Sequence, residues 1–181
     1  MKSLEIGPGT NPLINHDTID YCSEYSPTYL LDITAHDWLI PESIYDRVTT
    51  IHVFEHVELK YLVHIFQNVY RIMKPGGRFQ VHVPNGPAIC RAYLNFPDKR
   101  YYTQDGGTMN LAFYGAESES KPKYHLGHKT LFDSQLLSSC FSSTGFINIV
   151  DLTEQVEDIH DTYWNWIGER FSLKIQGTKP V

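Results

Sequence analysis

Apolar and polar residues alternate from the first positions of this chain. Leu4 and Ile6 fall between Ser3 and Glu5 with the two-residue period of a buried strand, and the run then breaks into Gly7-Pro8-Gly9. The glycines of that turn admit positive φ and let a ligand approach the backbone with no Cβ in the way. Residues 18–21 and 29–33 read as a second and a third short strand, with the carboxylates Asp20 and Asp32 near their ends. The links joining these three strands run to only about six to eight residues, whereas parallel neighbours ordinarily need a crossover of a dozen or more. Helices in the N-terminal half are therefore expected to be vestigial.

From Tyr45 the pattern strengthens. Residues 45–53 are β-branched and aromatic enough for a central strand, and Phe54-Glu55-His56 lies at its far end. Leu62, Ile65, Phe66, Val69, Ile72 and Met73 recur at helical spacing, and Lys74-Pro75-Gly76-Gly77 is expected to stop that helix with glycine past its end. Residues 78–83 alternate again, completing a strand, helix, strand unit of the kind that crosses over right-handedly. Residues 86–129 hold many aromatics and no clean period, which reads as an inserted loop or small cap. Thr130 to Asp133 resembles a capping box that opens a helix through Leu136, Leu137, Cys140 and Phe141, closed by Gly145. Residues 146–150 read as a strand, 159–167 as an aromatic-rich helix, and 171–175 as a last strand able to pair antiparallel with the one before it.

Composition narrows the class. A chain of 181 residues is most simply one domain, 1–181, with 86–129 as its insert. The net charge of -6 and the absence of a dense Lys/Arg run argue against a nucleic-acid partner. The three cysteines are scattered, so neither a disulfide framework nor a cysteine metal site is suggested, and no resident metal is expected. No stretch approaches the ~20 apolar residues that span a bilayer, and the N-terminus shows no apolar signal core. Membrane insertion is not expected, and the compartment expected is the cytoplasm.

The glycine turn carries the first chemistry. A phosphate wants amide N–H groups and cations, so the neighbouring Glu5 carboxylate points instead to a ligand with an ammonium, hydroxyls or a sulfonium. In an open parallel sheet, ligands lie beyond the carboxyl ends of the strands, where an acid such as Asp20 can accept both hydroxyls of a ribose. The turn also lacks the full GxGxxG of a dinucleotide oxidoreductase.

Several segments in order then resemble the class I S-adenosylmethionine-dependent methyltransferases, in the small branch with an LxxGxG opening, an HVxEHV-like segment and a KPGG turn. They are Leu4-Glu5-Ile6-Gly7-Pro8-Gly9, Ile51-His52-Val53-Phe54-Glu55-His56-Val57, Lys74-Pro75-Gly76-Gly77, Val83-Pro84-Asn85 and Thr144-Gly145-Phe146. The resemblance implies an α/β, Rossmann-like, mostly parallel seven-stranded sheet whose last hairpin is antiparallel. It implies S-adenosylmethionine as cofactor and S-adenosylhomocysteine as product. Gly7 and Gly9 would pass under the methionine part, Glu5 would anchor the turn or the cofactor ammonium, and Asp20 would hold the ribose. Asp32 would sit near the adenine, with Asp37 as a rival, and Ile51 and His52 would line the cofactor. Two departures stand out: Asn11 takes the place of the family's third glycine, and the helix that covers the cofactor in many relatives has no counterpart before the first strand. The cover is expected from the aromatic insert or a partner subunit, and a homodimer is one alternative.

Methyl transfer asks chiefly that a nucleophile be held in line, with a general base if the acceptor is a hydroxyl. His56, His125 and His128 are the candidate bases, and the acceptor class expected is a small molecule or glycan precursor, methylated on oxygen or nitrogen. The insert's tyrosines could stack on such an acceptor or form the cap's own core. A metal shared by His52 or His56 with the His125 and His128 pair is a separate idea, one that would help orient a diol-like acceptor, and two alternatives stay open: a methyltransferase-like binding module without turnover and, more remotely, a zinc peptidase. The second is raised by His52-Val53-Phe54-Glu55-His56, which matches H-x-x-E-H, but it requires both histidines on one face of a helix.

Overall fold

The computed structural model describes residues 1–99, 109–115, 127–156 and 158–181. Seven strands form one sheet: β1 (Ser3–Ile6), β2 (Asp17–Asp20), β3 (Tyr29–Leu30), β4 (Tyr45–Ile51), β5 (Met73–Pro84), β6 (Ile147–Asp151) and β7 (Ser172–Thr178). Their order across the sheet is β3-β2-β1-β4-β5-β7-β6. The first five pair in parallel, and β7 inserts antiparallel between β5 and β6. The expected architecture, with its antiparallel last hairpin, is the one observed. Short links join β1, β2 and β3, with one 3-10 turn (Ser23–Tyr25) and no α-helix among them.

Alternation along the strands gives the sheet two unlike faces. Paired positions Leu4, Val48 and Phe79, and then Ile6 and Val81, point one way, and with Leu173 and Ile175 they form the main core. Helix α1 (Leu59–Ile72) covers that face through Leu62, Ile65, Phe66, Val69 and Ile72, and α4 (Ser134–Thr144) packs beside it through Leu137 and Phe141. The rings of Phe66, Phe79, Phe141 and Phe146 meet edge-on or tilted, a geometry that adds to simple burial. The other face carries Glu5, Thr18, Thr49, Gln80, His82 and Lys174. That polar face bears the candidate chemistry.

Four local expectations are corrected. Helix α1 ends at Ile72 with Met73 already extended, so the helix runs straight into β5, and the Lys-Pro-Gly-Gly segment lies inside that strand, where its pairing with β4 shifts between Tyr45 and Arg47. Residues 86–95 are not loop but helix α2 (Gly86–Asn95): Asn85 caps it by accepting from the Ala88 N–H, and Pro87 stands in the first turn, where its missing N–H costs nothing. Helix α4 is capped by Asp133, which accepts from the Leu136 N–H at 2.7 Å, rather than by Thr130. The third strand, read as 29–33, stops at Leu30. Helix α2 and α3 (Met109–Tyr114) build a second small core of Ala88, Ile89, Ala92, Met109 and Ala112 with Ile167 and Phe171. Among the described residues, no helix is long and apolar enough to cross a membrane.

Candidate active site

The turn after β1 is tightly specified. Gly7 has φ of 67°, its N–H donates to the Ile19 carbonyl at 2.8 Å, and a Cβ built there would lie 2.5 Å from a methyl of Val53. Gly9, at φ of 56°, opposes it in kind: a Cβ there would meet nothing within 4 Å. The Glu5 carboxylate, buried under the turn, accepts the Leu13 N–H at 2.6 Å and so pins the loop that follows. Burial raises its pKa against the opposing pull of that hydrogen bond and of His16. Asp20 is 6% exposed at the end of β2. One of its oxygens accepts the Cys22 N–H at 2.9 Å, and the other lies 3.4 Å from the Gly9 N–H. Thus Glu5, Gly7, Gly9 and Asp20 come together at the carboxyl ends of β1 and β2. Asp32 stands apart, exposed, and is tied into its own turn through the Thr34 N–H and hydroxyl, while Asp37 is exposed beside His36. Ile51 ends β4 half-buried.

His52 follows with φ of 53°, unusual for a residue that carries a side chain. Its ring turns to the polar side of the sheet, with Nδ1 3.2 Å from Glu55 Oε1 and Nε2 2.8 Å from Ser172 Oγ. It stacks on His160 with centroids 3.7 Å apart. A 3-10 turn (Phe54–His56) then buries Phe54 and Glu55 and leaves the His56 side chain 25% exposed. Because His52 closes a strand and His56 lies on a single 3-10 turn, the two histidines do not share a helix face as the peptidase alternative requires.

The segment carrying His128 is clamped against that turn. The Glu55 carbonyl accepts both the Lys129 and Thr130 N–H groups, and the Thr130 hydroxyl donates to the Val57 carbonyl. His56 and His128 consequently meet edge-to-face with ring centroids 5.0 Å apart, two candidate bases 72 positions apart in sequence brought into one place. His125 lies outside the described residues. Burial lowers the pKa of His128, and the His56 and His52 rings act with it against Glu55 and the Ala112 carbonyl. Burial also disfavours the Glu55 carboxylate, yet its His52 hydrogen bond and the two histidines hold its pKa below the usual value.

Sequence reasoning missed the other half of the cluster. The short helix α5 (Ile159–Tyr163) is opened by a capping box in which Asp158 accepts from the His160 and Asp161 N–H groups and Asp161 accepts from Asp158. The same two acids reach across to the sheet. His82 donates from Nδ1 to Asp158 at 2.8 Å, the Ser172 hydroxyl donates to Asp158 at 2.9 Å, and the Lys174 ammonium, 0% exposed, donates to Asp161. Burial opposes the Asp158 anion, but His82, His52 and Lys174 hold its pKa well below the usual carboxylate range. The signal available was the Asp158-Ile159-His160-Asp161 run, which lacks a period that would place it near His52.

Burial, aided by His52, pushes the His160 imidazole down to about 4 from 6.5, against the opposing pull of Asp158, Glu55 and Asp161. The unfolded chain therefore holds the extra proton between those two values, so stability rises with pH across that window and is lost as acid is added. Thermal unfolding followed from about pH 7 to about pH 4 should show a falling Tm, and His160→Gln should flatten that fall. An unchanged profile in the variant would refute this account.

Comparison with known proteins agrees with the fold. Residues 5–81 match the family described as "Methyltransferase domain". No curated protein sequence matches. A SAM-dependent methyltransferase from Archaeoglobus fulgidus shares the fold at 14% identity over 98% of this chain and 86% of its own, with a TM-score of 0.60. One from Methanosarcina mazei does so at 14% identity over 99% and 92%, also at 0.60. A phosphoethanolamine N-methyltransferase 2 from Haemonchus contortus, solved with S-adenosyl-L-methionine, matches at 14% identity over 99% of this chain but 49% of its own, at 0.53. The chain likewise spans 62% and 48% of two other proteins of this fold. In strand order, and over residues 5–81 in sequence, the chain is thus similar to the methyltransferase domain, and its fold is that of the solved S-adenosylmethionine-dependent methyltransferases.

Proposed function

We propose that this chain transfers the methyl group of S-adenosylmethionine to an oxygen or nitrogen of a small molecule or glycan precursor received between the end of β4 and the segment 86–129. The observation that carries the reading is the pair of glycines at the end of β1. Gly7 packs so closely on Val53 that only glycine fits, while Gly9 faces open space with the Asp20 carboxylate behind it, a cradle that suits a hydroxylated, cationic ligand and not a phosphate. When bound, the cofactor supplies a methyl already activated by its sulfonium. In this reading Gly7 and Gly9 let the backbone pass under the methionine part, Asp20 accepts from the ribose hydroxyls, and Glu5 holds the loop that borders them. Ile51 and the His52 backbone close the inner wall, and Asp32 is the acid offered toward the adenine. The neighbouring polar cluster orients the acceptor. His56, with His128 beside it and His125 on the same segment, takes the proton from the acceptor as the new bond to carbon forms. A neutral imidazole at these positions suits that task, since only it has a lone pair to offer.

Titration calorimetry with S-adenosylhomocysteine tests the cofactor site. The wild-type chain is expected to bind in the micromolar range, and Asp20→Asn, which keeps an acceptor for the Cys22 N–H but loses the charge, should bind roughly 10- to 150-fold more weakly, the weight of hydrogen bonds to an ionised group. No binding by the wild-type chain at millimolar ligand would overturn the reading.

A further inference from the structure

Glu55, His56 and His128 place one carboxylate oxygen and two imidazole nitrogens within 4.8 Å of one another, and the way each is held is specific. The His56 Nδ1 lies 3.3 Å from the Gly127 carbonyl and the His128 Nδ1 lies 3.1 Å from the Ala112 carbonyl. A carbonyl can only accept, so in both rings Nδ1 carries the proton and, in the neutral imidazole, Nε2 carries the lone pair. Anchoring a ring by its far N–H to a backbone carbonyl is how proteins orient histidines whose other nitrogen binds a metal. The His56 Nε2 lies 3.9 Å from Glu55 Oε1, which itself accepts from His52. Glu55 is 1% exposed, and its second oxygen, Oε2, is buried with no hydrogen-bond partner among the described residues. A buried, unpaired carboxylate oxygen is costly unless a cation lies against it.

The adjacent group His52, Asp158 and His160 is equally close-set, yet it differs where it matters. Both nitrogens of His52 have protein partners, and both oxygens of Asp158 are taken, by Ser172 and α5 N–H groups on one side and His82 on the other. That group is a hydrogen-bond network closed at His52 and Asp158; His160 Nδ1 is buried with no hydrogen-bond partner among the described residues, but no carboxylate oxygen stands free beside it. The Glu55 group is open.

We infer that Glu55, His56 and His128 form a binding site for a divalent transition-metal cation of the zinc class. Two imidazoles and one carboxylate suit such a borderline cation better than Mg²⁺ or Ca²⁺, which prefer all-oxygen shells. A cation about 2 Å from each ligand would draw the three atoms inward, and three protein ligands leave a position free for an outside oxygen. Metal binding stands on this geometry alone. The role of the free position, to hold a hydroxyl or diol of the acceptor, rests on the methyl-transfer reading; the cation, once bound, activates that hydroxyl in place of the His56 and His128 bases, whose lone pairs it takes.

The test is titration calorimetry of Zn²⁺ into the untagged chain, stripped with chelator and dialysed, with Co²⁺ absorption as a second readout of an N/O shell. One Zn²⁺ per chain is expected. Glu55→Gln and His128→Ala should each weaken it at least about tenfold, whereas His160→Gln should leave it unchanged. Glu55→Gln preserves the side-chain shape, so it keeps the test valid if His128→Ala does not fold, as judged by circular dichroism. Absence of uptake by the wild-type chain would overturn the proposal. So would uptake lost in His160→Gln and kept in Glu55→Gln. S-adenosylhomocysteine titrated into the same stripped protein reports on the cofactor site separately: Zn²⁺ uptake without it leaves the metal site standing and defeats the methyl-transfer reading, and the converse result separates them the other way.

Discussion

Lys174→Ala is expected to destabilise the fold by about 3–5 kcal/mol, the cost of removing one partner from a fully buried ion pair. The Lys174 ammonium is 0% exposed, donates to Asp161, and lies 3.9 Å from Asp158. Its removal leaves the Asp161 and Asp158 carboxylates, both buried, without the ammonium between them. Lys174→Met fills the volume but not the charge, so it should recover little. Lys174→Met combined with Asp161→Asn should recover more, because exchanging both charges for neutral groups removes the unpaired anion. Urea unfolding of the three variants measures this directly. A loss under about 1 kcal/mol in Lys174→Ala would mean that water reaches the cluster, and the account of a closed network would fail.

Gly7→Ala carries the second large effect. A left-handed conformation costs a residue with a side chain about 1–2 kcal/mol, and overpacking against Val53 adds about 1–3 kcal/mol. For a domain of this size each kcal/mol lowers Tm by roughly 2–4 °C. Gly9→Ala has the same backbone penalty without the collision, since a Cβ there meets nothing within 4 Å. The difference between the two variants isolates the contact, and Val53→Ala in the Gly7→Ala background should recover it. If Gly7→Ala and Gly9→Ala unfold alike, Val53 yields and the close packing of the turn is not what selects glycine at position 7.

Much of this was legible in the order of residues because it is local. Strand β1, the turn and the acid ending β2 form a continuous pattern, and the amphipathic face of α1 announces itself at helical spacing. Even His56 and His128 could be set on one site, as polar residues at a strand end and beside a glycine in the insert. What escaped has physical reasons. Helix α2 begins with Gly86-Pro87, a pair read as a turn because its role as a first helical turn depends on the Asn85 cap. Lys174 sits in an alternating strand and looks solvent-facing, yet β7 is covered on both faces. Ser172 reaches His52 across 120 positions of sequence, a distance over which no periodicity carries information.

The insertion of β7 between β5 and β6 also governs how the molecule comes into being. As the chain leaves the ribosome, β5 forms with one edge paired to β4 and the other waiting for a strand that begins at Ser172. Until then, His82 and Asp158 lack Ser172 and Lys174, and a long edge of unpaired amides stands open to any neighbouring strand. The nascent chain is thus expected to be most prone to aggregation just before β7 is made, and the same docking event that pairs β7 with β5 completes the polar cluster.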